Sequence, residues 1–152
     1  MKCGYFKSQI GIIKISYLDS IKKIELVDKI SERSNEDEIF LLFKKQILEY
    51  LEGERQSFDH LDLLSLEGTD FQKSVWKALL KIPYGKTSTY KKIANEIGNP
   101  KAVRAVGPAV GKNPFLIIIP CHRVIKKDGS LGGFAYGSGI KKKLLKIEGN
   151  FF

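Results

Sequence analysis

Two cysteines, Cys3 and Cys121, and two histidines, His60 and His122, are all that this chain of 152 residues holds of these types. Two cysteines far apart make no disulfide framework, and with only two histidines to add they show no metal-ligand spacing, so both thiols read as free and no structural zinc is expected. No apolar run approaches the roughly 20 residues of a membrane span, and the opening Met1, Lys2, Cys3, Gly4, Tyr5 has no apolar signal core. These absences predict an intracellular soluble protein with no membrane partner, cytoplasmic, or nuclear in a eukaryote. Acid is scarce in one half only. Residues 67–152 hold 16 Lys or Arg and 5 Asp or Glu, a balance of +11, whereas residues 1–66 hold 10 and 12, a balance of −2. Concentrated positive charge favours polyanions such as nucleic acid, and a solvated lysine surface has the same composition.

What is present is enough apolar material, 43% of residues, for one sizeable core or two small ones. Residues 4–8, 11–18 and 21–27 read as strands, rich in Ile, Tyr and Phe and separated by turn residues. Asn35 with Glu38 three residues on suggests a helix start, and Ile39, Phe43, Ile47 and Leu51 recur on one face until Gly53. Residues 54–68 show no period and read as a connection. The charge balance reverses there, which places a domain boundary between residues 1–66 and 67–152.

The second half is mostly helical. Thr69 with Gln72 forms a potential capping box ahead of Phe71, Val75, Trp76, Leu79 and Leu80, and Pro83, Tyr84 and Gly85 break that helix. Ser88 is placed to cap a short helix carrying Tyr90, Ile93, Ala94 and Ile97, with Gly98 as its stop. Asn99 and Pro100 then open another helix over residues 100–110. Two short helices so closely joined have the spacing of a helix-turn-helix. The second would bury Val103, Val106 and Val110, and beside them it carries the small residues Ala102, Ala105 and Ala109. Such a face fits close helix packing or close approach to another surface, and Lys101, Arg104 and Lys112 favour DNA.

The apolar run 115–119 then leads through Pro120 to Cys121 and His122, carrying a thiol and an imidazole out of the core side by side. Residues 123–125 read as a short extended segment, 127–129 as a turn, and Gly132 and Gly133 as a flexible loop. Ser138 opens a last helix with Ile140, Leu144, Leu145 and Ile147 facing inward and Lys141, Lys142 and Lys143 facing solvent. A thiol needs a base to become a nucleophile, and an imidazole base needs a group, commonly a carboxylate, to fix its tautomer. Of the five acids in this half, Glu148, next to the apolar Ile147, is the best placed to turn inward. Asn113, before Pro114, suits either a turn or a hydrogen bond to that network.

The run NPKAVRAVG at residues 99–107, then Lys112 to Pro114, IPCHRV at 119–124, Gly132, Gly133 and Phe134, and LLKIEG at 144–149 together resemble the O6-alkylguanine-DNA alkyltransferases. The resemblance spans residues 69–149, in order and at that family's spacing. It implies an α/β fold: an N-terminal ribonuclease H-like domain plus a mostly α, winged-helix-like (helix-turn-helix) C-terminal domain. It implies a monomer that binds double-stranded DNA, flips out O6-alkylguanine and moves the alkyl group irreversibly to its own cysteine. Cys121 would be the acceptor, His122 its base through a water, Glu148 the group orienting His122, Asn113 a further member of the network, and Tyr90 the hydroxyl that stabilises the leaving guanine. Arg104 would fill the stack in place of the flipped base, with Lys101, Ala102 and Ala105 at the minor groove. Val124 and Cys121 would meet the guanine edge through their backbone, and Gly132, Gly133, Phe134 and Ala135 would cover the alkyl group. Phe134 and Ala135 stand where some relatives carry tyrosine and serine. No cofactor is implied, because the lesion is the alkyl donor, and the zinc of some relatives needs ligands this chain lacks. Rival readings are a lesion binder of the same fold without transfer, a Cys-His hydrolase, and a helix-turn-helix regulator.

Overall fold

The computed structural model describes all of Met1–Phe152 and has a mixed α/β architecture that divides into two compact units. The first comprises Met1–Glu67 with Pro114–Ile118, the second Gly68–Asn113 with Ile119–Phe152.

In the first unit β1 (Lys2–Ser8), β2 (Gly11–Tyr17) and β3 (Ile21–Val27) form an antiparallel meander in that order. Residues of like parity face one side of a strand, so Ile13, Ile15 and Tyr17 all lie buried. Helix α1 (Glu38–Leu51) buries Phe40, Phe43, Ile47, Tyr50 and Leu51. It starts at Glu38 with Asp37 as its N-cap residue, two positions later than Asn35 suggests. The reason is a non-local bond: the Asn35 N–H and side-chain amide both donate to the Cys3 carbonyl, at 2.9 and 3.4 Å, which holds Asn35 beside β1. Ile39 is accordingly only half-buried, and Phe40 occupies the core instead.

The run 115–119 is fully buried, and its first four residues lie in the first unit. Ile24 donates to the Pro114 carbonyl at 2.8 Å and accepts from the Leu116 N–H at 3.0 Å, so the run borders β3.

In the second unit Thr69 and Gln72 make the capping box of α2 (Asp70–Leu79), each side chain accepting from the other's backbone N–H. Thr89, not Ser88, caps α3 (Tyr90–Glu96), accepting from the Lys92 N–H. Ser88 stands one residue too early to cap it and instead pairs with Val124, in the short strand β4 (Ser88–Thr89) parallel to β5 (Val124–Ile125). Asn99 makes no side-chain cap. Pro100–Ala102 is a tight 3-10 turn, and α4 follows over Val103–Gly111.

Within α4 the small-residue face divides. Ala109 is buried and its carbonyl accepts from Trp76 Nε1 at 2.9 Å, whereas Ala105 is exposed and Ala102 and Val103 are half-buried. The exposed side of this segment is Lys101, Arg104, Ala105, Pro108, Gly111 and Lys112.

Helix α5 (Ser138–Ile147) begins at Ser138, as expected, and corrects one expectation. Gly137 is its N-cap residue, and Lys141 does not face solvent: it is fully buried, with Leu144 and Leu145. Residues 141, 144, 145 and 148 stand at i, i+3, i+4 and i+7, a single stripe of the helix. Ile140 and Ile147, off that stripe, are only half-buried.

Candidate active site

Cys121, His122 and Arg123 form one 3-10 turn, entered through Pro120 and left through β5. The turn stays inside the core: Cys121 is 8% exposed, His122 0% and Arg123 6%. The thiol and imidazole are therefore not carried out of the core, and any reacting group has to come to them.

His122 Nε2 lies 2.7 Å from Glu148 Oε2. A carboxylate can only accept, so Nε2 carries the proton and Nδ1 holds the basic lone pair. Burial pushes the His122 pKa below 6.5, against the upward pull of Glu148, and the positive charges of Arg123 and Lys141 push the same way as burial. The imidazole is thus neutral at physiological pH. Burial raises the Cys121 thiol above 9.0, partly offset by a hydrogen bond from Asn113, the Lys141 charge and the backbone N–H groups of Cys121 and His122. The resting pair is a neutral thiol beside a neutral base, so the proton moves only when an electrophile draws the sulfur toward reaction.

Asn113 closes the network from the C-terminal end of α4: its side-chain amide donates to the Ile119 carbonyl at 2.7 Å and reaches the thiol. Tyr90 begins α3 on the other side. Burial first, and the Cys121 charge second, hold its hydroxyl protonated above 10.0, so it is a donor at neutral pH.

The loop 132–135 stands against these residues. Gly132 has φ +75, and a methyl placed on it would come within 3.3 Å of the Tyr90 hydroxyl and 3.7 Å of Lys141 Nζ, so a larger residue is disfavoured by both conformation and space. Phe134 is half-buried and packs edge-on to Tyr136, and Ala135 is exposed. Val124 is buried.

Two residues that the sequence reading left out complete the site. Lys141 Nζ donates to the Val124 carbonyl at 2.6 Å and the Gly133 carbonyl at 3.0 Å, tying β5 to the loop, and burial lowers its pKa from 10.5 to about 8. Arg123 donates to both Glu148 oxygens, Nε to Oε1 at 2.8 Å and Nη2 to Oε2 at 3.0 Å. The signal for Lys141 was the stripe it shares with Leu144, Leu145 and Glu148; Arg123 had none beyond its place beside His122. Nowhere do three His, Cys, Asp or Glu side chains gather as metal ligands would.

Arg104 and Lys101 lie on the exposed side of the α4 segment, with Ala105 and the half-buried Ala102. Small residues between cations allow a close approach to a phosphate backbone.

The family model of the 6-O-methylguanine DNA methyltransferase DNA-binding domain matches residues 70–150. The chain is 50% identical over 140 residues to the methylated-DNA–protein-cysteine methyltransferase of Methanosarcina acetivorans, covering 92% of this chain and 86% of that one. Among solved structures, that of Mycobacterium tuberculosis OGT in complex with DNA is similar at a TM-score of 0.88 and 40% identity, over 98% of this chain and 93% of that one. The O6-methylguanine-DNA methyltransferase of the archaeon Pyrococcus kodakaraensis is similar at a TM-score of 0.76 and 26% identity, over 98% and 99% of the two chains.

Proposed function

Because the chain belongs to the methylated-DNA–protein-cysteine methyltransferase family, and so repairs alkylated DNA directly by transfer to a cysteine, we propose that Cys121 is the cysteine that takes the group. The observation that carries this reading is the buried 2.7 Å contact between Glu148 and His122, which shares its turn with the thiol. Glu148 fixes the tautomer that leaves Nδ1 basic, and Nδ1 receives the Cys121 proton through a water. The sulfur then attacks the O6-alkyl carbon in line. The S–C bond forms as the C–O6 bond breaks, and the electron pair leaves with guanine, whose developing charge the Tyr90 hydroxyl stabilises.

A buried thiol requires the base to be extruded from the duplex, at a cost of a few kcal/mol in lost stacking. Arg104 fills the vacated stack, and Lys101, Ala102 and Ala105 line the minor groove. The guanine edge meets the backbone of Cys121 and Val124, and residues 132–135 close over the alkyl group, held by Lys141. The product is a thioether, which no group in the site can cleave, so each molecule acts once. A DNA substrate supports a location in the cytoplasm, or in the nucleus of a eukaryote.

We further read residues 1–66 as a ribonuclease H-like α/β domain and residues 67–152 as a winged-helix-like domain that binds DNA and transfers the group. The meander backed by α1 supports the first, and the α3–α4 pair with the short β4–β5 sheet supports the second. Titration of duplex O6-methylguanine with protein tests the mechanism: repair should stop at one lesion per molecule, and continued turnover would contradict the thioether end point.

A further inference from the structure

Arg123 is a fully charged side chain placed in the core, where an unpaired cation is costly, yet the reaction as described gives it no part. Its guanidinium makes three hydrogen bonds. Two run in parallel to the Glu148 oxygens, and Nη1 donates to the Ile82 carbonyl at 2.7 Å, while the group lies 5.7 Å from the centre of the Tyr84 ring. Glu148 in turn accepts four bonds, two at each oxygen: Oε1 from Arg123 Nε and the Gly85 N–H at 3.1 Å, and Oε2 from His122 and Arg123 Nη2. A carboxylate held by a planar fork cannot rotate about its last bond without breaking both arms.

We propose that Arg123 is a positioning residue for alkyl transfer: its fork locks Glu148 so that Oε2 always faces His122 Nε2, keeping the His122 lone pair on Nδ1, where the Cys121 proton is received. The inference rests on the assignment of Cys121 as acceptor and His122 as its base. Lysine cannot substitute, since a single ammonium cannot grip both oxygens in one plane.

The same cation also offsets the pull of Glu148 on the imidazole proton. The charged or titratable groups facing the His122 site are Glu148 and Lys141 from α5, Arg123 and Cys121 from its own turn, Tyr84 from the segment after α2, which meets Arg123 and Glu148, and Tyr90 from α3, which meets Cys121. Both tyrosines stay neutral through the acid range. Glu148 alone favours the imidazolium, and Arg123 and Lys141 oppose it. Without Arg123 the base should be lost to protonation at a higher pH.

The test is the pH dependence of the second-order rate of methyl transfer from a duplex oligonucleotide containing O6-methylguanine. Relative to wild type, Arg123→Gln should be slower by about tenfold or more on the plateau, and its acid limb should lie about one pH unit higher. Arg123→Lys should restore the limb and not the plateau. An Arg123→Gln limb that coincides with the wild-type limb would overturn the proposal, because loss of packing alone lowers the rate without moving the limb. Nitrogen NMR of histidine-labelled wild type tests it without a variant: the Nε2–H tautomer of His122 at neutral pH is expected, and an Nδ1–H tautomer would refute it. Wild type that leaves Cys121 unmodified would instead remove the underlying assignment, an outcome distinct from either.

Discussion

Glu148→Gln replaces one oxygen of the carboxylate with an NH2 group and keeps its shape, so its effect can be worked from the four bonds Glu148 accepts. If the amide nitrogen took the Oε1 position, it would face two donors, Arg123 Nε and the Gly85 N–H. At the Oε2 position it faces one fixed donor, Arg123 Nη2, together with His122, whose ring can change tautomer. The second arrangement is the less costly, and in it the amide donates to His122 Nε2. The imidazole must then carry its proton on Nδ1, where the lone pair for the Cys121 proton should be. In the Ser-His-Asp triad a wrong tautomer costs about 10⁴ in rate, so transfer should fall by at least about a thousandfold. The Arg123 cation is also left buried without its countercharge. Breaking a buried pair costs about 3–5 kcal/mol, which for a chain of this size lowers the melting temperature by about 10 °C. Single-turnover transfer measured well below the variant's melting transition separates the two losses. A variant that melts early yet transfers within tenfold of wild type would refute the tautomer argument.

Arg104→Ala, at an exposed position, should leave the melting temperature unchanged and slow repair in duplex DNA by about tenfold or more, with little effect on reaction with free O6-benzylguanine; equal losses on both substrates would count against stack filling. Lys141 carries a pH signature. Its folded pKa of about 8 lies below 10.5, so between these values the unfolded chain binds more protons and this residue's contribution to stability rises with pH. Relative to Lys141→Met, wild type should therefore gain up to about 3 kcal/mol in denaturant unfolding as pH is raised through that window, and a flat difference would show that the ammonium is not desolvated.

The elements that local sequence decides were legible. Thr69 and Gln72 sit three residues apart and make their capping box from within one turn, and Gly98 ends α3 with a positive φ that only a residue without Cβ adopts freely. Three departures come from partners far along the chain. Asn35 is held by Cys3, Ser88 by Val124, and Pro114 and Leu116 by Ile24. No period or capping rule within a window of a dozen residues contains those bonds. Glu148 was legible as a candidate because it follows an apolar helix residue and few other acids compete. Lys141 and Arg123 were not, because charged side chains default to solvent and only the paired carboxylate and the loop carbonyls draw these two inside. The helical stripe from 141 to 148 nevertheless placed Lys141 with Leu144 and Leu145. Weighing position over residue type would have turned it inward.

On this mechanism Cys121 ends the reaction carrying the alkyl group. That end point is tested most directly by incubating the protein with a duplex containing O6-methylguanine, digesting it, and weighing the peptides that contain Cys3 and Cys121. One added methylene is expected on the Cys121 peptide, at most once per molecule, with the Cys3 peptide unchanged. An unmodified Cys121 peptide beside a repaired duplex, or a methyl group on Cys3, would contradict it.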